Sequence, residues 1–267
     1  MKEFIIRSIS GLLYAFLIIA AALYSDLSFI IVIFTFCSLA LYEFQKLIQY
    51  KSPVPFILFG LIIYQFYNNK LNAYLHLSLL GLSVSSNLFL TYLLFTKKII
   101  KLIPYQKSAL TLFYIVASSY FIIASSSLSS SIENGIIISI YFLVWVNNSF
   151  AYILGKKYGK NLLFKEISPK KTWEGFWGGT VICFMSSFLL IFYHPIYPTW
   201  TFPILSILIA VTSTVGDLVQ SKFKRQALVK NSGSLIPGHG GFYDRMDSIL
   251  FTAPFIFLVL MIISYVS

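Results

Sequence analysis

The chain consists of long apolar runs separated by short polar segments. Nine apolar stretches lie at about residues 5–24, 27–44, 54–67, 73–95, 108–124, 136–154, 175–193, 201–219 and 249–266. Since the hydrocarbon core of a bilayer needs about 20 apolar residues per helix, each stretch predicts a transmembrane helix. The third stretch is short and polar residues dilute the fourth, so eight spans is the alternative count.

The loop charges provide an independent test of the span count. With a cytoplasmic N-terminus, nine spans place 19 of the 20 Lys and Arg residues on the cytoplasmic side and only Lys70 outside. Eight spans would move basic loops across the membrane, against the positive-inside rule. The pattern therefore favours an all-α polytopic membrane protein with about nine transmembrane helices and a C-terminus on the outer side.

Composition excludes other classes of protein. Hydrophobic residues make up 58% of the chain and charged residues 11%, whereas soluble domains carry about 25% charged residues. The net charge of +11 is concentrated in a few loops and covers no hydrophilic face, which argues against nucleic-acid binding. Cys37 and Cys183 lie inside apolar runs, with neither a disulfide framework nor metal-site spacing.

Loop lengths divide the chain into two regions. Residues 1–135 hold about five helices with short connections and no recognised motif. Residues 136–267 carry two long loops, 155–174 and 220–248, on the predicted cytoplasmic side. We expect the function to reside in this second region.

The first long loop combines glycines, hydroxyls and lysines. Such a mixture suits phosphate, because backbone N–H groups and ammonium groups both approach its oxygens closely. The candidates are Ser168, Lys170, Lys171, Thr172 and Glu174. No P-loop pattern occurs, and the alternative is a solvated loop that is basic only because it is cytoplasmic.

Asp217 lies at the cytoplasmic end of the eighth run. A charged carboxylate near hydrocarbon costs about 2.5–3.5 kcal/mol on insertion scales, which makes it a functional candidate. If the helix continues, Ser221, Lys224 and Arg225 share its face. The carboxylate could then hold a metal while the cations bind a polyphosphate; the alternative is a local ion pair at an interfacial helix end.

The second long loop contains Pro237 and a cluster of glycines, whose backbone N–H groups can point at an anion. Asp244 and Asp247 follow with helical i, i+3 spacing, so both could be ligands for Mg²⁺. Alternatively, Asp244 is an N-cap and Asp247 a favourable charge in the first turn. His239 is either a substrate contact or a structural hydrogen-bonding group in the turn.

The residues from Ser221 to Asp247 closely resemble the diagnostic pattern of the CDP-diacylglycerol synthases, also called phosphatidate cytidylyltransferases. Upstream, Ser168-Pro-Lys-Lys-Thr-Trp-Glu-Gly175 and Gly216-Asp217-Leu218 extend the resemblance, which covers about residues 147–250 in detail. The family usually has aspartate where this chain has Asn148 and Asn231. These two amides leave open a catalytically weakened or inactive homologue.

The resemblance implies transfer of a cytidylyl group from CTP to phosphatidate, which gives CDP-diacylglycerol and pyrophosphate. It implies Mg²⁺ at Asp217, Asp244 and Asp247, with a second cation left open, and catalytic roles for Lys224 and Arg225 beside these aspartates. The implied substrate-binding residues are Ser168, Lys170, Lys171, Thr172, Glu174, Ser221, Lys230, His239, Gly240, Gly241 and Arg245.

The implied partners are CTP, phosphatidate in the cytoplasmic leaflet and membrane lipids, without nucleic acid; a homodimer is left open. The expected location is a bacterial inner membrane, with the active site facing the cytoplasm. A transporter of an anionic solute is the rival from another class. It should place polar residues near the bilayer midplane, and the first, second, fifth and ninth runs are nearly devoid of them.

Overall fold

The computed structural model describes residues 2–96, 100–127, 135–238 and 240–266. Within these ranges the chain forms nine helices: α1 (Lys2–Tyr24), α2 (Asp26–Leu47), α3 (Val54–Tyr67), α4 (Ala73–Phe95), α5 (Pro104–Ser126), α6 (Gly135–Tyr158), α7 (Trp173–Tyr193), α8 (Thr201–Gln226) and α9 (Tyr243–Val266). Helix α5 contains a π-helical segment, Thr111–Val116. The helical fold class is confirmed.

The described residues also form one antiparallel hairpin, which the sequence analysis did not predict. Strand β1 (Leu162–Phe164) pairs with β2 (Ser168–Thr172), with Leu162 opposite Thr172 and Phe164 opposite Ser168. The strands are too short for a clear alternation of apolar and polar residues. The hairpin carries both candidate lysines of the first loop.

Seven of the described helices, α2 and α4 to α9, are long and apolar enough to cross a membrane. The segment Ile9–Tyr24 of α1 and the 14-residue α3 are shorter. At 1.5 Å per residue, α3 spans about 21 Å, less than the roughly 30 Å of a hydrocarbon core. The chain is thus an integral membrane helix bundle, and nine complete spans stay a prediction.

Long-range contacts join helix ends at two ends of the bundle. At the end that carries the hairpin and loop 227–242, hereafter the motif end, the contacts are Ser10 Oγ to Pro237 O (3.0 Å), Lys107 Nζ to Gln49 O (3.3 Å) and Arg225 Nε to Ile167 O (3.2 Å). At the opposite end, Ser139 Oγ lies 2.8 Å from His194 Nε2. These pairings agree with helices that alternate in direction.

The helices extend beyond the apolar runs that predicted them. Helix α6 continues to Tyr158, α8 continues to Gln226 and α9 begins at Tyr243, so the predicted loops 155–174 and 220–248 shrink to residues 159–172 and 227–242. Polar helix ends explain the difference, because hydropathy marks only the apolar part of each helix. At α7, the N-cap Thr172 accepts a hydrogen bond from Gly175 N at 3.2 Å.

Small residues bring α6 and α7 into close contact. Ala151, Gly155 and Gly159 recur every four residues on α6 and just beyond it, and Gly175 and Gly179 do the same on α7. A Cβ atom at Gly175 would lie 2.6 Å from the carbonyl oxygen of Ala151. Glycine is therefore required for close helix approach at this seam, which supports the hairpin between the two helices.

Aromatic side chains fix α2 against α5 and α9 beneath the motif end. Phe44 meets the ring of Tyr114 edge-on at 5.6 Å and that of Tyr243 at 5.5 Å. The two tyrosine hydroxyls lie 2.9 Å apart, and all three side chains are buried. Because lipid tails are as apolar as these rings, such packing and hydrogen bonding hold the helices together in a membrane.

Candidate active site

A cavity of about 630 Å³ opens at the motif end, between α1, α6, the hairpin, α8 and α9. Its polar wall includes Asn148, Ser168, Lys170, Lys171, Thr172, Asp217, Gln220, Lys224, Asn231, Asp244, Arg245 and Asp247. Its apolar wall includes Tyr14, Ala15, Tyr141, Val144, Trp145 and Ile249. The volume suits a ligand of small-molecule size, and the two walls suit one with a charged and an apolar part.

Asp217 projects from α8 into this cavity and pairs with a lysine of the hairpin. Its Oδ2 lies 2.6 Å from Lys171 Nζ, and its Oδ1 accepts a hydrogen bond from Ser221 Oγ at 3.2 Å. The Asp217 side chain is 36% exposed and that of Lys171 is 27% exposed. The predicted shared face of Asp217 and Ser221 is therefore present, and the ion pair joins two separate elements across the cavity.

Asp244 is almost fully enclosed by hydrogen-bond donors. Its Oδ1 accepts from Lys224 Nζ (2.7 Å) and Gln220 Nε2 (3.0 Å), and its Oδ2 accepts from Ser232 N (2.8 Å) and Gly241 N (3.0 Å). The Ser232 hydroxyl lies 3.0 Å from Oδ2, but it lies closer to Glu43 Oε2, at 2.7 Å, and donates its one hydrogen there. An ionised carboxylate offers about four lone-pair sites, so the donors fill its accepting capacity. Asp244 anchors the loop, and no site on it is left for a cation.

Asp247 is also buried, with 8% of the residue exposed, but it has far fewer partners. Its Oδ1 accepts from Ser248 N at 2.6 Å, and no donor among the described residues contacts its Oδ2. It faces the same cavity as Asp217 and interacts with that carboxylate electrostatically. Burying a charged carboxylate without a partner costs free energy, so a bound cation would stabilise the charges of Asp217 and Asp247.

The three predicted metal ligands do not form a single cluster. Within the described ranges, no group of three or more Asp, Glu, His or Cys side chains could hold a metal ion. Asp217 and Asp247 nevertheless fit Mg²⁺, which takes one or two carboxylates together with water and substrate phosphates. Asp217 and Asp247 thus differ from Asp244 in having fewer hydrogen-bond donors around their carboxylates.

Four cationic side chains line the cavity around the two carboxylates: Lys170, Lys171, Lys224 and Arg245. The hairpin supplies the first two, α8 the third and α9 the fourth. All four were predicted from the sequence, together with Ser168 and Thr172, which also line the cavity. The cluster can compensate the charge of a polyphosphate.

Other predicted residues lie outside the cavity lining. Arg225 donates from Nε to Ile167 O at 3.2 Å and so ties α8 to the hairpin. Glu174 closes the turn after α6, where it accepts from Lys160 N at 3.0 Å and from Asn161 Nδ2 at 2.8 Å. Lys230 is exposed. His239 lies outside the described residues.

The N–H groups of the glycine turn and of the residues after it donate to carboxylates of the chain itself, and the role of Gly240 and Gly241 in substrate binding stays a prediction. Gly240 has a positive φ of 91° and pairs with Ile236, an arrangement that directs the Gly241 N–H to Asp244. The next two N–H groups, of Phe242 and Tyr243, donate to Glu43 at 3.1 and 2.9 Å. These N–H groups are therefore occupied within the protein.

Sequence reasoning missed Glu43, because it lies in the region without recognised motifs. Glu43 is only 2% exposed. In addition to the hydrogen bonds from Phe242 N and Tyr243 N, it accepts one from Ser232 Oγ at 2.7 Å. A signal was present: Glu43 is an acidic residue at the end of the second apolar run, where a charge near hydrocarbon is costly unless it is paired.

The two amides at positions where aspartate was expected both line the cavity. Asn148 donates from Nδ2 to Ser248 Oγ at 3.2 Å. Ser248 is the residue that follows Asp247 in the sequence. Asn231 is exposed and lies against Gly240, where a Cβ atom would approach the Asn231 Cβ to 3.2 Å. Both amides therefore lie within the site region.

Known proteins with similar sequences identify the family of this chain. A family model described as the cytidylyltransferase family matches residues 5–263. The chain belongs to this family. It is 31% identical over 271 residues to the phosphatidate cytidylyltransferase of Bacillus subtilis (strain 168), covering 97% of this chain and 98% of that protein.

Two further relatives match shorter regions. The phosphatidate cytidylyltransferase of Rickettsia bellii is 43% identical over 141 residues, or 49% of this chain and 61% of the relative. That of Haemophilus influenzae is 40% identical over 127 residues, or 45% and 43%. The family resemblance inferred from the motifs is therefore confirmed.

Proposed function

We propose that this protein transfers a cytidylyl group from CTP to phosphatidate, which yields CDP-diacylglycerol and pyrophosphate. The observation that carries the proposal is a cavity in which three aspartates and four cations lie opposite apolar side chains. Such a site accommodates both a nucleotide triphosphate and the headgroup of a lipid. Membership of the cytidylyltransferase family supports the same reaction.

The reaction needs no general base. The phosphate oxygen of phosphatidate attacks the α-phosphorus of CTP; a new P–O bond forms while the bond to the pyrophosphate oxygen breaks. A phosphate monoester has a second pKa of about 6, so near neutral pH the nucleophile is already largely dianionic. The remaining barrier lies in bringing two anions together in the reactive orientation.

The cationic side chains meet this electrostatic requirement. We assign Lys170, Lys171 and Arg245 to the phosphates of the two substrates, because they line the cavity on two opposing elements. Lys224 is held by Asp244 at 2.7 Å, which fixes its ammonium group at the cavity wall. Charges positioned before the reaction stabilise the transition state without reorganisation.

Asp217 and Asp247 would hold Mg²⁺, the cation implied by the family resemblance. When bound there, the cation would neutralise phosphate oxygens and stabilise the charge of the departing pyrophosphate. The Lys171 ammonium pairs with Asp217 at 2.6 Å, so it remains beside the carboxylates and available to a phosphate oxygen. Asp244 contributes by holding Lys224 and the loop.

We further propose that the site faces the cytoplasm of a bacterial inner membrane and draws phosphatidate from the cytoplasmic leaflet. Support comes from the positive charges: in the nine-helix arrangement, 19 of the 20 Lys and Arg residues fall on one side of the membrane. Single cysteines at Lys160 and Lys230 test this orientation. An impermeant thiol reagent should label neither position in intact cells and both after permeabilisation; labelling from outside would reverse the orientation.

The reaction itself is tested with purified protein, CTP labelled at the α-phosphate, phosphatidate and Mg²⁺. We expect the label to enter the lipid fraction while one pyrophosphate is released per lipid formed. Asp217→Asn is the matched inactive control. Failure of the wild-type protein to label lipid would support an inactive homologue, which Asn148 and Asn231 leave open.

A further inference from the structure

Glu43 lies outside the cavity lining but holds the segments that build its wall. Its Oε1 accepts from Phe242 N at 3.1 Å, and its Oε2 accepts from Tyr243 N at 2.9 Å and Ser232 Oγ at 2.7 Å. The donors belong to two segments, the start of α9 and the beginning of loop 227–242. One side chain of α2 thus fastens both segments.

Each fastened segment continues directly into the cavity wall. Asn231 precedes Ser232, and Asp244 and Arg245 follow Tyr243; all three line the cavity. Ser232 also donates to Asp244 from its backbone N–H at 2.8 Å. A shift of the Glu43 carboxylate would therefore displace groups on two sides of the site.

The surrounding loop is shaped to admit this carboxylate. A Cβ atom added at Gly233 or at Gly241 would overlap the Glu43 carboxyl group. Neither glycine has a positive φ, so close approach and not backbone conformation requires glycine there. Glycine is therefore needed at these two motif positions because a side chain from about 190 residues earlier in the chain packs against them.

The partners of Glu43 within the described ranges are hydrogen-bond donors. Two of them are N–H groups at the N-terminus of α9, where the helix dipole stabilises a negative charge. This end of α9 would otherwise be available to a phosphate group. Glu43 occupies it and so leaves substrate phosphates to the lysines and arginine of the cavity.

We infer that Glu43 is a positioning residue for cytidylyl transfer, which acts through Ser232 and the first turn of α9. The inference depends on the proposed function for the reaction that it serves. Glu43 contacts no reacting group. It sets the placement of Asn231, Asp244 and Arg245 from a helix of the N-terminal region.

Glu43→Gln tests the inference, because the amide keeps the size but turns an N–H₂ group toward a backbone donor. We expect kcat per folded molecule to fall about 10- to 100-fold, since displacements of about 1 Å have effects of this order. A purely structural role would lower thermal stability and leave kcat of the folded fraction within about twofold of wild type; that result would overturn the inference.

Lys222→Met is the matched control. Lys222 is a buried charge at 7% exposure that also fastens a helix end, since its Nζ donates to Leu93 O and, at 2.6 Å, to Thr96 O. It does not line the cavity. We expect its loss to destabilise the protein without lowering kcat of the folded fraction, and an equal fall in kcat in both variants would contradict a specific role for Glu43.

Coupling with Ser232 supplies a second criterion. If Glu43 acts through Ser232, Glu43→Gln combined with Ser232→Ala should lower kcat by much less than the product of the two single effects. Losses that multiply would show independent action and overturn the inference.

A readout that does not need the reaction separates this inference from the proposed function. A single cysteine at exposed Lys230 reports the placement of loop 227–242 through its rate of modification by a thiol reagent. We expect Glu43→Gln to change that rate at least about threefold and Lys222→Met to leave it unchanged. Wild-type protein without transferase activity would refute the proposed function, whereas an unchanged labelling rate in Glu43→Gln would refute the positioning role.

Discussion

Asp244 and Asp247 stand three residues apart on the first turns of one helix, yet their surroundings differ. Asp244 receives donors on both oxygens from α8, the loop and the glycine turn, whereas Asp247 has one backbone partner and an open oxygen at the cavity. With Glu43, Asp244 forms an anchored set of carboxylates; with Asp217, Asp247 forms a set that faces the cavity. The comparison shows that hydrogen-bond donors, and not residue type, distinguish a carboxylate held within the protein from one that faces the cavity.

The largest expected effect separates the two sets by activity. Asp217→Asn and Asp247→Asn should each lower turnover at least about 100-fold, because each removes a charge that faces the reacting phosphates. Neither should prevent insertion into the membrane. Initial rates of lipid labelling, normalised to folded protein, measure the effect, and wild-type turnover in either variant would remove that residue from the site.

Asp244→Asn should lower stability more than the two cavity-facing variants do. It leaves Lys224, 14% exposed, without its counter-ion, and breaking such a buried pair costs about 3–5 kcal/mol. The thermal unfolding temperature of the detergent-solubilised protein should therefore fall more in Asp244→Asn than in Asp217→Asn, because Lys171, the partner of Asp217, is partly exposed. Lys224→Met added to Asp244→Asn should recover part of the loss; equal unfolding temperatures for the two single variants would contradict the distinction.

Lys171→Met should weaken substrate binding more than it weakens folding. The ammonium group is partly exposed and pairs with Asp217, so its loss costs little stability, but it removes one of the cations that we propose to bind substrate phosphates. We expect the KM for CTP to rise about tenfold, since a charge-assisted hydrogen bond contributes about 1.5–3 kcal/mol. Lys165→Met, on an exposed residue of the same hairpin outside the cavity lining, is the control and should leave KM unchanged.

The smallest effect concerns the two amides. A unit charge 4 Å from a cation contributes about 4 kcal/mol per unit of cation charge at an effective dielectric constant of 20, and a tenth of that is about a twofold change in affinity. Asn231→Asp and Asn148→Asp should therefore lower the Mg²⁺ concentration for half-maximal transfer at least about twofold. An unchanged Mg²⁺ titration in both variants would place them away from the cation.

The sequence by itself predicted the helices, the family and several of the charged residues that line the cavity. Apolar runs report helices because each must match the bilayer core, and helical spacing places Asp217 and Ser221 on one face regardless of the rest of the fold. The motif residues Lys170, Lys171, Lys224 and Arg245 also line the cavity as predicted. These features depend on neighbours in sequence, so local patterns carry them.

Only the tertiary structure decided which carboxylates are saturated with hydrogen-bond donors. The donors that saturate Asp244 come from α8 and from two separate points of loop 227–242, and Glu43 contacts Tyr243 across 200 residues of chain. Local sequence periodicity does not predict these contacts, because they depend on how α2, α8 and α9 pack at the motif end. The hairpin was missed for a related reason: its short strands pair with each other and are held between α6 and α7 by a glycine seam that only close helix approach explains.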